Sequence, residues 1–160
     1  MCGIVGVFGK EGMTKSCKTY KTRKQRVARM TSSLRHRGPD ASGMYSDGFA
    51  TLAHERLSIV DISGGKQPLF DFKTGRVLIA NGEIYDHLRL RKLLIDDHEF
   101  QTKSDSEVLL YLYDEFGPSF LEKIDGIFAF IIYDPKTQEY FVARDHIGIV
   151  PLYVGWDKTG

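Results

Sequence analysis

Cys2 stands directly behind Met1 and is one of only two cysteines in the chain. The thiolate is the reactive form of cysteine, and a free thiol with a pKa of about 8.5 is only a few per cent ionised at neutral pH. It needs a base nearby. Methionine is usually trimmed when the next residue is small, and cysteine qualifies. Removal would leave Cys2 carrying both a thiol and a free α-amine. That amine, with a reference pKa of roughly 7.7–8.0, suits general-base work, directly or through one water. N-terminal threonine nucleophiles pair with their own amine in the same way. Chance placement on a frayed end is the alternative. Against it, Ile4, Val5, Val7 and Phe8 are strand formers, so Cys2 reads as held by a buried strand.

Other reactive signatures are missing. There is no G-x-S-x-G elbow, H-E-x-x-H pair or Walker loop. Ser63-Gly64-Gly65-Lys66 resembles a phosphate loop, but Gln67-Pro68 follows and no strand-loop-helix context surrounds it, so it reads as a turn. His36, His54, His87, His98 and His146 lack ligand spacing and read as structural. Two cysteines make no disulfide framework, which fits a reducing compartment, the cytoplasm; Cys17 is given no role.

The elements that must position Cys2 belong to one domain. The 160 residues are 42% hydrophobic and 27% charged, with a net charge of +1, which excludes a global field selecting nucleic acid. Lys10 to Arg29 holds eight of the 22 basic residues and reads as a solvated loop leading into a helix, the alternative being an anionic partner. No apolar run reaches the roughly 18 residues of a membrane span, and the start is not a secretory signal.

Strands are expected at Ile4–Gly9, Phe49–His54, Arg76–Ala80, Ile127–Tyr133 and Tyr140–Arg144, the last two joined around Asp134–Thr137. Lys10 to about Thr22 reads as a polar loop. The spacing of Val27, Met30, Thr31 and Leu34 predicts a helix ending before Arg35. Asp86 is placed to cap a helix to about Leu94. Ser104-Asp105-Ser106-Glu107 has the capping-box pattern, ahead of a helix with Val108, Leu109, Leu112, Tyr113 and Phe116 on one face and Gly117-Pro118 at its end. Strands outnumber irregularly spaced helices, which argues α+β with mostly antiparallel sheet. Asp71-Phe72-Lys73-Thr74-Gly75 reads as a turn into a strand. Asp157-Lys158-Thr159-Gly160 reads as the same turn with no strand after it, which suggests part of a longer protein.

These residues together resemble a known family. Met1-Cys2-Gly3-Ile4-Val5-Gly6 is similar to the start of the class II, N-terminal nucleophile (Ntn) glutamine amidotransferases. Arg35–Asp40 with Ser42-Gly43, His54–Asp61, Asn81–Tyr85, Ser104–Glu107, Asp125–Phe130 and Arg144–Tyr153 resemble the asparagine synthetases among them. The resemblance runs in order from residue 2 to about 155, broken by the basic loop. It implies an αββα sandwich, two mostly antiparallel sheets between helical layers, and a glutamine amidotransferase domain over 1–160 that lacks its last strands. Members usually carry Asn where Asp86 stands.

The resemblance further implies that Cys2 attacks the side-chain amide of L-glutamine and forms a γ-glutamyl thioester. Asn81, through its side-chain NH₂, and Gly82, through its backbone N–H, would form the oxyanion hole. Arg56 would grip the α-carboxylate, with Arg56, Leu57, Ser58, Ile59 and Val60 lining the pocket, and Glu83 and Asp105 would hold the α-ammonium. The ammonia would pass to a C-terminal synthetase domain, absent from this sequence, which uses ATP and Mg to convert aspartate to asparagine. No cofactor or metal is implied for this domain, nor any nucleic acid or membrane, and a homodimer is compatible. Two rival functions stand beside this one: a freestanding amidotransferase subunit, and a non-catalytic regulatory or interaction domain. By residue type alone, Asn81-Gly82 also reads as a hairpin turn, Asp105 as a first-turn acid and Arg56 as a surface ion pair.

Overall fold

The computed structural model describes residues 1–9, 17–61 and 64–156. Strands β1 (Gly3–Phe8), β2 (Ala41–Ser46) and β3 (Ala50–Arg56) form one antiparallel sheet in the order β1-β3-β2. Strands β4 (Leu69–Phe70), β5 (Val77–Ile84), β6 (Gly126–Asp134) and β7 (Glu139–Arg144) form a second, in sequence order. Among the described residues three α-helices accompany them: α1 (Cys17–Ser32), α2 (His87–Leu94) and α3 (Val108–Phe116).

The period-two alternation of the strands sorts their side chains into layers. Val5 of β1 and Ala53 of β3 pack against Val27 of α1. The opposite face of the same sheet, with Ala50 and Leu52 buried and Ile4 and Phe8 partly so, meets Val77 and Ile79 of β5 and Ile131 and Tyr133 of β6. On the far side of the second sheet, Leu78, Ala80, Phe130 and Ile132 pack against Leu90 and Leu94 of α2 and Leu109 and Leu112 of α3. The result is four layers, helix–sheet–sheet–helix, as the family resemblance implies.

Several local expectations are corrected. Helix α1 begins at Cys17 rather than after Thr22; residues 10–16, the rest of the expected loop, lie outside the described residues, as do Ser63 and the turn at 157–160. Arg23 ties this helix to the first sheet, donating to Thr51 Oγ1 at 3.2 Å and to the Asp47 carbonyl at 2.6 Å. Met30 is exposed, so Val27 and Thr31 carry the buried face. Strand β2, reading Ala-Ser-Gly-Met-Tyr-Ser, gave no sequence signal because it is a polar, half-buried edge strand. In α3, Leu110 and Tyr111 are buried as well, and Phe116 is instead 44% exposed.

The capping box does not form. Ser104 makes no side-chain cap, and the Glu107 carboxylate turns back to the preceding loop. It accepts the Gln101 N–H at 2.7 Å, and the Thr102 N–H and hydroxyl at 2.9 and 2.6 Å. Asp86 does stand at the start of α2, but its carboxylate takes the Asp125 N–H at 3.2 Å and Arg89 instead of capping the helix. The Asp71–Gly75 turn forms as expected, with Gly75 at φ 86° and its N–H on the Asp71 carbonyl at 2.8 Å.

Candidate active site

Strand parity brings the candidate residues into the seam between the sheets. Gly3 pairs with Glu55 and Ile4 with His54. Extending that register by one residue sets Cys2 opposite Arg56, and both share the inward parity of Ile4 and Leu52. Asn81 shares the inward parity of Val77 and Ile79 on β5. Cys2 is held on both sides: its Sγ lies 3.3 Å from the Leu57 N–H and 3.6 Å from the Leu57 carbonyl, and its own carbonyl accepts Arg37 Nε at 3.1 Å. A cavity of about 100 Å³ opens there, lined by Met1, Cys2, Arg56, Leu57, Ile59, Val60, Asn81, Gly82, Glu83 and Asp105 among others. Ser58 does not line it. Its N–H donates to Asp40 Oδ2 at 2.7 Å, tethering the loop after β3.

The edge of β5 turned away from β6 presents a row of main-chain donors. The Ala80 N–H donates to Gln67 Oε1 at 2.6 Å and the Ile84 N–H to Asp105 Oδ2 at 2.8 Å. Antiparallel alternation turns the intervening Gly82 N–H to the same edge. The partner across the ladder agrees. Phe128, opposite Gly82, donates its N–H to Asp145 Oδ2 at 3.3 Å, and its carbonyl accepts the Asp145 N–H at 2.8 Å, so both groups face away from β5. Gly82 itself has φ 146°, and a Cβ there would stand 2.0 Å from the Ile127 carbonyl oxygen. The Asn-Gly pair is therefore a glycine-dependent step inside a strand, not a hairpin turn. Asn81 is 4% exposed, and its Oδ1 is buried with no hydrogen-bond partner among the described residues.

Arg56 is no surface ion pair. It is 5% exposed, and its Nη2 donates to the carbonyls of Asp61 at 2.6 Å and Val60 at 3.1 Å. Asp61, at φ 51°, in turn accepts the Gly64 N–H at 3.1 Å and the Lys103 N–H at 2.8 Å. This joins the loop after β3 to the segment that carries Asp105. Glu83 is exposed at the pocket rim. His54, between the sheets, has a pKa lowered to about 4: burial disfavours its charge, the Ala80 carbonyl opposes that, and the Arg56 charge reinforces it. Among the described residues no group of His, Cys, Asp and Glu could hold a metal ion.

Sequence reasoning gave no role to Gln67, Asp61 or Arg37. Each meets a main-chain group distant in sequence, of Ala80, Lys103 and Cys2 in turn, for which no spacing pattern exists.

The family model for the glutamine amidotransferase domain matches residues 1–160. The chain is 47% identical over 161 residues to the glutamine-hydrolysing asparagine synthetase B of Escherichia coli strain K12, covering 100% of this chain and 28% of that protein. It is 44% identical to the glutamine-hydrolysing asparagine synthetase of Brassica oleracea, covering 100% of this chain and 26% of that protein. It thus spans about a quarter of the length of these relatives. On the match along its whole length, the chain belongs to the glutamine amidotransferase domain family.

Proposed function

We propose that this domain hydrolyses L-glutamine to glutamate and ammonia at Cys2. The observation that supports it is the convergence of Cys2, Arg56, Asn81, Gly82, Glu83 and Asp105 on one cavity. The Cys2 α-amine takes the thiol proton as Sγ attacks the side-chain carbonyl carbon, and the C=O π pair moves to oxygen. The Asn81 carboxamide and the Gly82 N–H receive that oxyanion; fixed donors aimed at developing charge are worth about 2.7–4 kcal/mol each. The carbon–nitrogen bond breaks, and nitrogen leaves as ammonia with a proton from the Cys2 α-ammonium. Water, deprotonated by the same amine, adds to the thioester carbon; the carbon–sulfur bond then breaks, glutamate leaves, and the α-ammonium returns the proton to the Cys2 thiolate. Arg56 holds the α-carboxylate, and Glu83 and Asp105 the α-ammonium, so the reacting end is placed by the end that does not react.

In the full-length protein the ammonia feeds ATP- and Mg-dependent conversion of aspartate to asparagine in a C-terminal synthetase domain, in the cytoplasm. The names of the relatives, glutamine-hydrolysing asparagine synthetases, favour this over a freestanding subunit. No helix among the described residues is long and apolar enough to cross a membrane.

The test is glutamine turnover by three preparations of the full-length chain, each checked by intact mass: Met1 removed, Met1 retained, and Met1 removed with Cys2→Ala. The Cys2→Ala protein should lose glutaminase activity while keeping its fold. The Met1-retained protein should lose the general base, about 10²–10⁴-fold in rate, and it also keeps a side chain in the cavity. Turnover by the Cys2→Ala protein at the normal rate would remove Cys2 from the mechanism.

A further inference from the structure

We infer that Gln67 and His54 are positioning residues for the oxyanion site, gripping the two polar groups of Ala80 so that Asn81 and Gly82 face the Cys2 sulfur. The inference rests on the reading of Cys2, Asn81 and Gly82 given above.

Strand β4 pairs with β5 only at Leu69–Leu78 and Phe70–Val77. Beyond that point no strand among the described residues pairs with β5 on this side, although Ala80 and Gly82 lie further along the same edge. An unpaired edge leaves its main-chain groups to find other partners. At Ala80 both groups are taken by side chains from other elements. Gln67 Oε1 accepts the N–H at 2.6 Å, and His54 Nε2 lies 3.0 Å from the carbonyl oxygen. A neutral imidazole facing a carbonyl must carry its proton on that nitrogen, so His54 Nε2 donates.

Both grips are built on rigid supports. The Gln67 carbonyl presses against β2 so closely that a Cβ on Gly43 would stand 1.9 Å from its oxygen. His54 is in the middle of β3, the central strand of its sheet, and is 1% exposed. The arrangement has a cost that packing alone does not explain. With Nε2 donating, His54 Nδ1 is a buried acceptor, and it has no hydrogen-bond partner among the described residues. An aliphatic side chain would avoid that cost but would leave the Ala80 carbonyl without its donor.

The grips also select which amide is presented. Gln67 occupies the N–H at Ala80 and Asp105 the N–H at Ile84, so Gly82 lies between two occupied donors. Without Gln67, the Ala80 N–H would be a competing donor and the Ala80–Asn81 segment would lose its lateral restraint. Such a shift acts on the transition state, where the oxyanion exists, and hardly on the α-amino-acid end of the substrate, held by Arg56 and Asp105.

The experiment compares full-length protein, Met1 removed, with its Gln67→Met and His54→Phe variants, which keep side-chain bulk while removing the acceptor or the donor. Three quantities are read: kcat and KM for glutamine, the dissociation constant of glutamate, and the inhibition constant of the aldehyde analogue of glutamine. Cys2 Sγ adds to that aldehyde carbon, and the former carbonyl oxygen then occupies the oxyanion site, so its affinity reports on that site. Each variant should lower kcat by about ten- to a hundredfold and weaken the aldehyde to match. KM and glutamate affinity should stay within about twofold, which also certifies the fold. Wild-type kcat and aldehyde affinity in Gln67→Met would overturn the inference. So would an equal weakening of aldehyde and glutamate, which marks a general structural role. If the unsubstituted protein does not turn over glutamine, the reading of the site fails first and the inference with it.

Discussion

Arg56 illustrates what one side chain does in this site. Its guanidinium supports the loop after β3 through the carbonyls of Val60 and Asp61, and it also lines the cavity. A lysine keeps the charge but has no planar fork to satisfy the loop and a carboxylate together. Losing a buried charge-assisted hydrogen bond costs roughly 2–5 kcal/mol. Arg56→Lys should therefore raise KM for glutamine at least about tenfold with a smaller fall in kcat; steady-state kinetics over a glutamine series decides it, and an unchanged KM removes Arg56 from substrate binding. Residues of this kind were legible in the sequence: Cys2 from its place behind Met1, and Arg56 and Asn81-Gly82 only through the family resemblance, since by type alone they also read as a surface ion pair and a hairpin turn. Gln67 and Asp61 were not. Each works by satisfying a main-chain group brought to it by the fold, and glutamine or aspartate in a loop gives no sign of that.

At the scale of elements, β5 carries the most information. Its apolar start, Val77 to Ala80, was readable as a strand, but the four residues after it were not. Asn-Gly by propensity turns a chain. Here eight residue pairs with β6 hold the strand straight, from Val77–Tyr133 to Ile84–Gly126, and tertiary pairing overrides the local preference. Glycine is still required, because β6 approaches so closely. Gly82→Ala would combine a positive φ with a Cβ 2.0 Å from the Ile127 oxygen and 2.6 Å from Phe128 Cα, backbone atoms in a central strand that cannot rotate away. We expect it to destabilise the fold by more than about 3 kcal/mol, read as a lower urea midpoint with unchanged cooperativity. A midpoint within error of the unsubstituted protein would mean that the strand relaxes at this point. Ser104–Glu107 failed as a capping box for a related reason: the 101–102 loop offers Glu107 three donors in place of the one N-cap N–H a capping box supplies, and the Ser104 N–H is itself taken by Thr102 Oγ1 at 3.1 Å.

Across the whole molecule the site depends on the seam between two sheets, and the seam contains a titratable group. The α+β class with antiparallel sheets was readable from the excess of strands over irregularly spaced helices, and the layer order through the family resemblance; the depth at which His54 lies was not, since one histidine in a strand looks like any other. His54 has an ordinary pKa of 6.5 and a folded value of about 4. The native state therefore refuses a proton that the unfolded chain accepts between those values. The sign follows: this contribution to stability is complete above about pH 6.5, falls by about 1.4 kcal/mol per pH unit on acidification, and is exhausted near pH 4 after a loss of about 3 kcal/mol. Two carboxylates act in a lower window. Burial raises Asp47 and Asp145, but hydrogen bonds outweigh it, from Ala50, Tyr133, Phe49 and Tyr45 to the first and from Ile149, Val150, Phe128 and Gly148 to the second. Both end below their ordinary 3.8, so their stabilisation is lost only as pH falls past that value. Urea unfolding at pH 7, 5.5 and 4.5 separates the windows. The unsubstituted protein should weaken steadily across all three, whereas His54→Phe, less exposed to acid because it has nothing to protonate, should lose markedly less over the same range. Parallel slopes would place the acid-sensitive group outside the seam.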